Sequence, residues 1–409
     1  MDYRIYDPTR DHDTARRIWR ETGWIRPGNE GCMDLFIGAG RTLVADLQGE
    51  AECLVNTAPG TIRHLGADLP FAGVTAVTTS RLARKQGLAR RLTAQAVALA
   101  AADGALVAGL GMFEQGYYNR LGFGTGSYEH VVAFDPAQLN VRVQPRVPRR
   151  LSADDWALVH AARLARLRGH GSINMTPPEI TQGAMRQMDN GFGLGYCDGP
   201  AGELTHHLWC ATQAVERGPY FVAWMTYQTR DQFLELLALL RSLGDQIRLV
   251  RMHEPQGIQI QDLILHPFRS LVATRGSDFQ TGVRATAHWQ IRILDLPGCL
   301  AHTHLPTGPV RFNLRLTDPI AAALDADAPW RGVAGAYRVT LGPTSHAEPG
   351  ADAALPTLSA SVGAFSRMWL GVQPASGLSY TDDLAGPADL LARLDALLRL
   401  PAPKLEWEI

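Results

Sequence analysis

The sequence predicts an α/β protein that ends in an α+β region, and three observations support this prediction. The order strand, loop, helix, strand occurs at residues 72–110, and a similar order occurs at residues 204–252. After residue 288 the chain alternates short β-branched runs with two helical segments. A length of 409 residues is enough for two or three domains. We therefore predict divisions at residues 1–140, 151–287 and 288–409.

Residues 1–140 are predicted to form one α/β unit. Residues 1–10 alternate apolar and polar side chains as a strand does, and Asp11-His12-Asp13 caps a helix that runs to about Glu21. Residues 28–40 are glycine-rich and predict a loop or a short helix. The other predicted elements are a hairpin at 41–47 and 51–56, a strand at 69–79, a helix at 87–102, and strands at 105–110 and 128–134.

The junction between strand 69–79 and helix 87–102 is the most informative stretch. The first backbone N–H groups of a helix have no partner inside it and attract anions. Gly87 and Ala89 leave room for a phosphate, and positive charge surrounds them at Arg84, Lys85, Arg90 and Arg91. The stretch predicts a pyrophosphate site, although the pattern Arg-x-x-Gly-x-Ala alone is weak because many strand-to-helix junctions bind nothing.

Residues 151–287 repeat this order without the glycine. A helix is predicted from Ser152 to about Leu167, and later elements are strands at 204–212, 220–226 and 246–252. A capping box at Thr229–Gln232 opens a helix in which Asp231 occupies the first turn, where an anion would otherwise bind. We predict a degenerate second unit that binds no cofactor, with an unrelated α/β domain as the alternative. Val141–Arg150, with two prolines and four arginines, is predicted as a linker.

Composition and spacing argue against several function classes. The net charge of −1 provides no overall basic field for nucleic acid or anionic membranes, and the basic run 142–150 lacks interleaved aromatic residues. Every apolar stretch falls short of the roughly 20 residues of a membrane span. Five scattered cysteines without Cys-x-x-Cys spacing predict reduced thiols in the cytoplasm. The histidine pairs 206–207 and 302/304 lack partners at ligand spacing, so we expect no metal.

Two motifs resemble those of a known family. Arg84-Lys85-Gln86-Gly87-Leu88-Ala89, after a valine-rich strand, is similar to the acetyl-CoA loop of the GNAT N-acetyltransferases. Tyr118-Asn-Arg-Leu-Gly-Phe-Gly124 is similar to a motif of the enhanced intracellular survival (Eis) acetyltransferases, and residues 292–299 and 358–400 resemble that family's C-terminal domain. The resemblance implies tandem GNAT-like units, the second degenerate, followed by a sterol-carrier-protein-like α+β domain at 288–409.

The resemblance also implies a function. It implies an N-acetyltransferase that moves the acetyl group of acetyl-CoA directly to a primary amine of a cationic small molecule (an aminoglycoside or polyamine-like compound) or of a lysine. It further implies assembly as a homo-hexamer. The alternative is a non-catalytic lipid- or ligand-binding protein that retains the fold. The residues expected at the cofactor are Val77, Thr78, Thr79, Arg84, Lys85, Gln86, Gly87, Leu88, Ala89, Arg90, Phe113 and Glu114.

Acetyl transfer needs a general acid for the departing thiolate. A phenol, with an ordinary pKa of about 10, keeps its proton at neutral pH and can donate it. Tyr118 matches the family motif and is the expected acid. The alternatives are that Tyr118 only packs against Tyr117 and Phe123, or that Tyr117 is the acid.

The reaction also needs a general base, because an alkyl ammonium has no lone pair with which to attack. The resemblance implies that the C-terminal carboxylate is the general base, and in this sequence that carboxylate belongs to Ile409. The ordinary pKa of a terminal carboxyl, about 3.5, makes it a weak base, but burial or an acidic neighbour such as Glu408 raises that pKa. Leu405, Trp407 and Ile409 alternate with polar residues, which predicts a docked strand-like tail instead of the frayed end that is usual.

Overall fold

The computed structural model describes residues 3–267 and 273–409. In chain order the strands are β1 (Tyr3–Ile5), β2 (Arg41–Leu47), β3 (Glu50–His64), β4 (Ala67–Thr79), β5 (Val107–Gly111), β6 (Gly124–Thr125), β7 (Glu129–Phe134), β8 (Arg149–Leu151), β9 (Ile173–Met175), β10 (Phe192–Tyr196), β11 (His206–Thr212), β12 (Tyr220–Thr226), β13 (Val250–His253), β14 (Gly282–Thr286), β15 (Trp289–Ile293), β16 (Val310–Thr317), β17 (Gly335–Leu341), β18 (His346–Pro349), β19 (Thr357–Ser361) and β20 (Leu384–Ala385). The α-helices are α1 (Pro8–Thr22), α2 (Glu30–Gly38), α3 (Leu88–Ala102), α4 (Trp156–Ala165), α5 (Pro178–Gln187), α6 (Arg230–Ser242), α7 (Leu296–Ala301), α8 (Val362–Trp369), α9 (Ala375–Thr381) and α10 (Ala388–Leu397).

The chain divides into two compact units. Unit 1 comprises Met1–Ser127, Gly169–Pro177 and Ala287–Ile409, and unit 2 comprises Tyr128–Arg168 and Pro178–Thr286. The three-domain division at 1–140, 151–287 and 288–409 stays a prediction. Two predicted strands form but pair differently from expectation: β7 joins the sheet of unit 2, and β15 joins the first sheet of unit 1.

The first sheet of unit 1 has the order β1-β2-β3-β4-β5-β15-β6, with β9 paired to β3. Because side chains alternate along a strand, each face of the sheet receives its own helices. On one face α1 and α2 pack through Ile18, Trp19 and Met33 against Val44 and Leu54. On the other face α3 packs through its leucine and alanine side chains against β2–β5. This arrangement leaves the ends of β4 and β5 between two helical layers.

The C-terminal part of unit 1 forms a five-stranded sheet in the order β18-β17-β16-β19-β20. Its predicted α+β character is confirmed, whereas the sterol-carrier likeness stays a prediction. Helix α8 is joined to the first sheet, because the Ile293 N–H donates to Ser366 Oγ over 2.9 Å. A fully buried ion pair joins Arg292 of β15 to Asp318 after β16, with 2.6 Å between Nη2 and Oδ2.

Unit 2 holds a sheet in the order β14-β7-β13-β12-β11-β10-β8. Strands β12 and β13 are parallel, as β4 and β5 are in unit 1, and α6 lies between them in sequence. Residues 141–150 do not form a loose linker as predicted. Val141 is buried, and Arg146 forms ion pairs with Asp198 at 2.7 Å and with Glu235 at 2.8 Å, so this segment is packed into unit 2.

Other features bear on the function classes considered above. All five cysteines are free thiols. Among residues 3–267 and 273–409, no helix combines the length and apolarity needed to cross a bilayer. Within the same ranges, no three His, Cys, Asp or Glu side chains are grouped as a metal would require. His302 and His304 each bond a backbone carbonyl, of Gly298 and Pro343.

Candidate active site

The site is built where the pairing between β4 and β5 ends. These parallel strands pair from Phe71–Val107 to Val74–Leu110, after which β4 continues to Thr79 while β5 stops at Gly111. The β3–β4 register shifts at the same level, which gives a β-bulge, and Ala76 adopts a φ of 54° there. A bulge bends and twists its strand, so β4 turns away from its neighbour. We call the region beyond the last pair the β4–β5 gap.

The predicted cofactor residues at the end of β4 line this gap. Val77 packs against the core on the α3 face. Thr78 is buried, and its hydroxyl donates to the Ala76 carbonyl. The Thr79 hydroxyl lies 3.3 Å from the Cys53 thiol on β3. Backbone groups on the β5 side of Thr75–Thr79 are therefore available to an extended ligand rather than to a neighbouring strand.

The loop from β4 to α3 has the geometry of an anion site. Lys85 and Gly87 both have positive φ, of 62° and 79°, and such alternation turns successive N–H groups toward one point. Gly87 is the N-cap of α3, and within the described chain no side chain caps the helix. Leu88 is buried beneath the loop, whereas Arg84, Lys85, Gln86 and Gly87 are exposed, with Ala89 and Arg90 half-buried. The first-turn N–H groups of α3 are thus open to a phosphate.

The corresponding junction of unit 2 is closed. At the start of α6 the Thr229 side chain accepts from the Gln232 N–H, and the Gln232 side chain accepts from the N–H groups of Gln228 and Thr229. This confirms the predicted capping box. In α6 the N–H of Gln232 in the first turn is thus bonded to a side chain, whereas no side chain caps α3 in the described part of the chain.

The two tyrosines after β5 differ in environment. Tyr118 begins a 3-10 turn to Leu121 and is 8% exposed, whereas Tyr117 is 37% exposed. Their rings meet edge to face at 4.8 Å, and the Tyr118 ring lies 6.3 Å from that of Phe123. Burial raises the pKa of Tyr118 above its ordinary value and raises the pKa of Tyr117 to about 12. Both phenols therefore keep their protons across the neutral range.

Phe113 and Glu114, also predicted at the cofactor, occupy the exposed loop after β5. The Phe113 ring is 86% exposed and meets the ring of Trp24 edge-on at 6.0 Å. Trp24 in turn packs on Trp19 at 5.4 Å, so this aromatic row runs from the α1 side to the loop that follows β5. Phe113 therefore contacts the α1–α2 connection, an association that the sequence did not predict.

The C-terminal residue reaches the β4–β5 gap. A methyl group built on Gly111 would lie 2.5 Å from a terminal oxygen of Ile409, and one built on Gly73 would lie 3.5 Å from Ile409 Cγ2. The side chains of Leu405 and Trp407 are 4% and 5% exposed. These contacts confirm that the tail is docked, although residues 401–409 do not form the strand that the alternating pattern predicts.

Tyr118 and the terminal carboxylate approach the strands from opposite faces. Tyr118 belongs to the core on the α3 face, together with Val74 and Leu110. Gly73 and Gly111, the neighbours of Ile409, are offset by one residue from these two and so project to the other face. A ligand in the gap would therefore have a phenol on one side and a carboxylate on the other.

Sequence reasoning missed the residues that hold the tail. Ser127 donates a hydrogen bond to the Pro403 carbonyl, and residues 169–177 run between the tail and β3. The one available signal was the set of strand glycines at 73, 109 and 111, because glycine inside a strand often marks a close approach by another segment.

Comparison with known proteins agrees with this geometry. The family model of the acetyltransferase (GNAT) domain matches residues 29–126. Eis1 from Mycobacterium abscessus has a similar structure at 17% identity, with a TM-score of 0.77 and coverage of 100% of both chains. GCN5-related N-acetyltransferases from Anabaena variabilis (13% identity, TM-score 0.79, 100% of both chains) and Kribbella flavida (19%, 0.73, 100% of this chain and 98% of that one) are also similar. No curated protein gives a significant match.

These matches confirm the predicted enzyme class and its cosubstrate. The matched range contains the β4–β5 gap, the open N-terminus of α3 and Tyr118. The chain therefore carries an acetyltransferase domain of the GNAT type, for which acetyl-CoA is the cosubstrate, and it has an Eis-like fold over its full length.

Proposed function

We propose that this chain transfers the acetyl group of acetyl-CoA directly to a primary amine of a cationic small molecule, an aminoglycoside or polyamine-like compound, or to a lysine. Tyr118 is the general acid and the carboxylate of Ile409 is the general base. The observation that carries the proposal is their location on opposite faces of β4 and β5 at the point where pairing ends.

Opposite faces suit the order of bond changes. The carboxylate takes a proton from the ammonium, and the freed nitrogen lone pair forms the new C–N bond at the thioester carbonyl. Backbone N–H groups at Val77–Thr79 stabilise the oxyanion. When the C–S bond breaks, the thiolate takes the phenolic proton of Tyr118, and the new amide nitrogen loses its second proton to solvent. Solvent then reprotonates Tyr118 and deprotonates the carboxyl of Ile409. An attacking amine and a departing thiolate lie on different sides of the carbonyl carbon, so acid and base do not compete for space.

The cosubstrate is held by its phosphates. The pyrophosphate lies at the open first turn of α3, with Arg84, Lys85 and Arg90 supplying charge. Pantetheine follows Val77–Thr79 along the gap in place of a neighbouring strand.

A cationic acceptor is supported by the charges of the tail. Residues 404–409 carry Glu406, Glu408 and the terminal carboxylate against a single Lys404. The exposed Phe113 ring and its partner Trp24 add aromatic faces, which attract ammonium groups. We further propose, from the likeness to Eis proteins, a homo-hexamer with a degenerate second GNAT-like unit and a sterol-carrier-like C-terminal domain. The closed N-terminus of α6 supports the second of these points.

The test is turnover of acetyl-CoA with a panel of polyamines, aminoglycosides and lysine peptides, followed by mass spectrometry of the products. Extending the tail by several residues removes the carboxylate from the gap and should lower kcat at least about 10²-fold while acetyl-CoA still binds. A chain extended at its N-terminus is the matched control and should keep full activity. Full activity of the C-terminally extended chain would reject the terminal base, and binding of acetyl-CoA without transfer to any amine would reject the enzyme.

A further inference from the structure

The tail that delivers the carboxylate is tied down at several points within unit 1. The Lys404 N–H donates to the His170 carbonyl over 3.3 Å, and the Ile173 N–H donates to the Leu405 carbonyl over 3.0 Å. The Ser127 hydroxyl donates to the Pro403 carbonyl from the other direction. Three consecutive tail residues, Pro403, Lys404 and Leu405, are therefore bonded through their backbones, four to six positions before Ile409.

The partner of the tail is a short strap, Gly169–Pro177, which the structure assigns to unit 1. The strap is bonded in turn to the first sheet. Gly171 and Ser172 exchange backbone hydrogen bonds with Arg63, at 2.7 and 2.9 Å, and β9 pairs with β3 from Ile173–Ile62 to Met175–Gly60. The strap thus links the tail to the β3–β4 pair by backbone hydrogen bonds, in addition to the packing of the tail's own side chains.

His170 fastens the strap at a further point. Its Nδ1 accepts the Leu65 N–H over 3.0 Å, and its Nε2 lies 2.9 Å from the Leu370 carbonyl. The imidazole therefore joins the β3–β4 turn to the end of α8, and its own carbonyl holds Lys404. The strap cannot shift along β3 without breaking these bonds.

Two glycines complete the fit at the carboxylate itself. Gly111 has room for the terminal oxygen of Ile409 only because it lacks a side chain, since a methyl there would lie 2.5 Å from that oxygen. Ordinary contact would require the carboxylate to retreat by about 1 Å. At Gly73 a methyl would meet Met175 Cε of the strap at 2.7 Å before it met Ile409.

We propose that Gly111, Ser127 and the strap Gly169–Pro177 are positioning elements that hold the C-terminal carboxylate at the distance required to deprotonate the acceptor amine. This inference rests on the proposed function. Their effect is geometric: a displacement of about 1 Å in a reacting group can lower a rate by about 10²-fold. A substitution here should therefore impair the base and leave acetyl-CoA binding intact.

The experiment compares Gly111→Ala and Ser127→Ala with two controls, Gly282→Ala on the exposed strand β14 and Ser379→Ala on α9. At pH 7 we expect Gly111→Ala to lower kcat about 10²-fold, with the Kd of acetyl-CoA unchanged and both controls active. At pH 9.5 roughly a tenth of a lysine-like amine is already neutral, compared with less than about 0.1% at pH 7, so the reaction depends less on the base and the defect should shrink to less than about tenfold. An equal defect at both pH values would indicate general damage and overturn the proposal.

A second measurement does not depend on turnover. Release of Ile409 by a carboxypeptidase, followed by mass spectrometry, reports how often the tail leaves its position. Release should be at least about tenfold faster in Ser127→Ala and Gly111→Ala than in the controls, because the first loses a hydrogen bond to the tail and the second places a methyl against the terminal oxygen. If the wild-type tail resists the carboxypeptidase but the wild-type protein acetylates no amine, the proposed function alone is rejected. Normal turnover and equal release rates in both variants would reject the positioning role alone.

Discussion

Replacement of Tyr118 by phenylalanine separates catalysis from packing. Phenylalanine keeps the ring that meets Tyr117 at 4.8 Å and Phe123 at 6.3 Å, so the core on the α3 face retains its contacts. Only the phenolic oxygen is removed. We expect the free energy of unfolding to change by about 1 kcal/mol or less.

The expected kinetic loss is much larger. Burial raises the pKa of Tyr118, so the phenol is protonated at any ordinary assay pH and its proton is available to the thiolate. Removing a general acid costs about 10²–10⁴ in kcat, which corresponds to about 3–5 kcal/mol of activation free energy. Because the shift is upward, the wild-type enzyme should show no alkaline loss of kcat from this group below pH 10 or so.

The assay measures the thiol of released CoA with a chromogenic thiol reagent, across acetyl-CoA and amine concentrations. Tyr117→Phe is the matched control, since Tyr117 is the adjacent phenol with a raised pKa of about 12. Its kcat should stay within about threefold of the wild type. If Tyr118→Phe keeps a third of the wild-type kcat while Tyr117→Phe loses a hundredfold, the assignment is reversed. If both remain active, no tyrosine of this turn is the acid.

Three further predictions concern the loop between β4 and α3, the buried Arg292–Asp318 ion pair and the buried His207. Arg84→Ala should raise the Kd of acetyl-CoA, measured by calorimetry, about tenfold, because a charged hydrogen bond contributes about 1.5 kcal/mol. The control Arg393→Ala on α10 should leave this Kd unchanged. Equal Kd values for the two variants would contradict the assignment of the loop to the phosphates. Asp318→Asn leaves the fully buried Arg292 without its counter-ion. The free energy of unfolding, measured by urea denaturation, should fall by about 3–5 kcal/mol, and a fall of less than about 1 kcal/mol would contradict the ion pair. Burial lowers the pKa of His207 from 6.5 to about 3, so on acidification the unfolded chain binds a proton before the folded chain does. The free energy of unfolding should therefore fall from pH 7 toward pH 4, by up to about 1.4 kcal/mol per pH unit. In His207→Gln the Tm should fall less steeply with pH, and an unchanged slope would contradict this explanation.

Elements specified by local sequence were predictable. The β-branched run of β4, the glycine before α3 and the capping box at Thr229 each act within a few residues, and the structure has them where the sequence predicts. The docking of the tail was also predictable, because apolar and polar residues alternate there at the period of a strand.

Strand partners were not predictable in the same way. The strand near residue 130 forms as predicted, yet β7 pairs with β13 and β14 in unit 2. Likewise β15 pairs with β5, some 180 positions earlier in the chain. A strand's own residues indicate that it is a strand, but its partner depends on packing with distant segments. The strap could not be predicted for the same reason, because β9 has only three residues and its conformation depends on β3 and the tail.

The two halves of the candidate site therefore differ in how they are encoded. The proposed cofactor half is mostly contiguous, with ten of its residues between Val77 and Arg90 and only Phe113 and Glu114 further along, and all of it lies within the range 29–126 that the family model matches. The proposed acceptor half consists of Gly111, Ser127, the strap and Ile409, which are far apart in sequence and meet only in the folded chain. Because the halves have no residue in common, substitutions in the first should change the affinity for acetyl-CoA and those in the second should change kcat and its pH dependence. A variant of Ser127 that altered both to the same extent would show that the tail and the cofactor are held by one structure, and the division of the site into two halves would then be wrong.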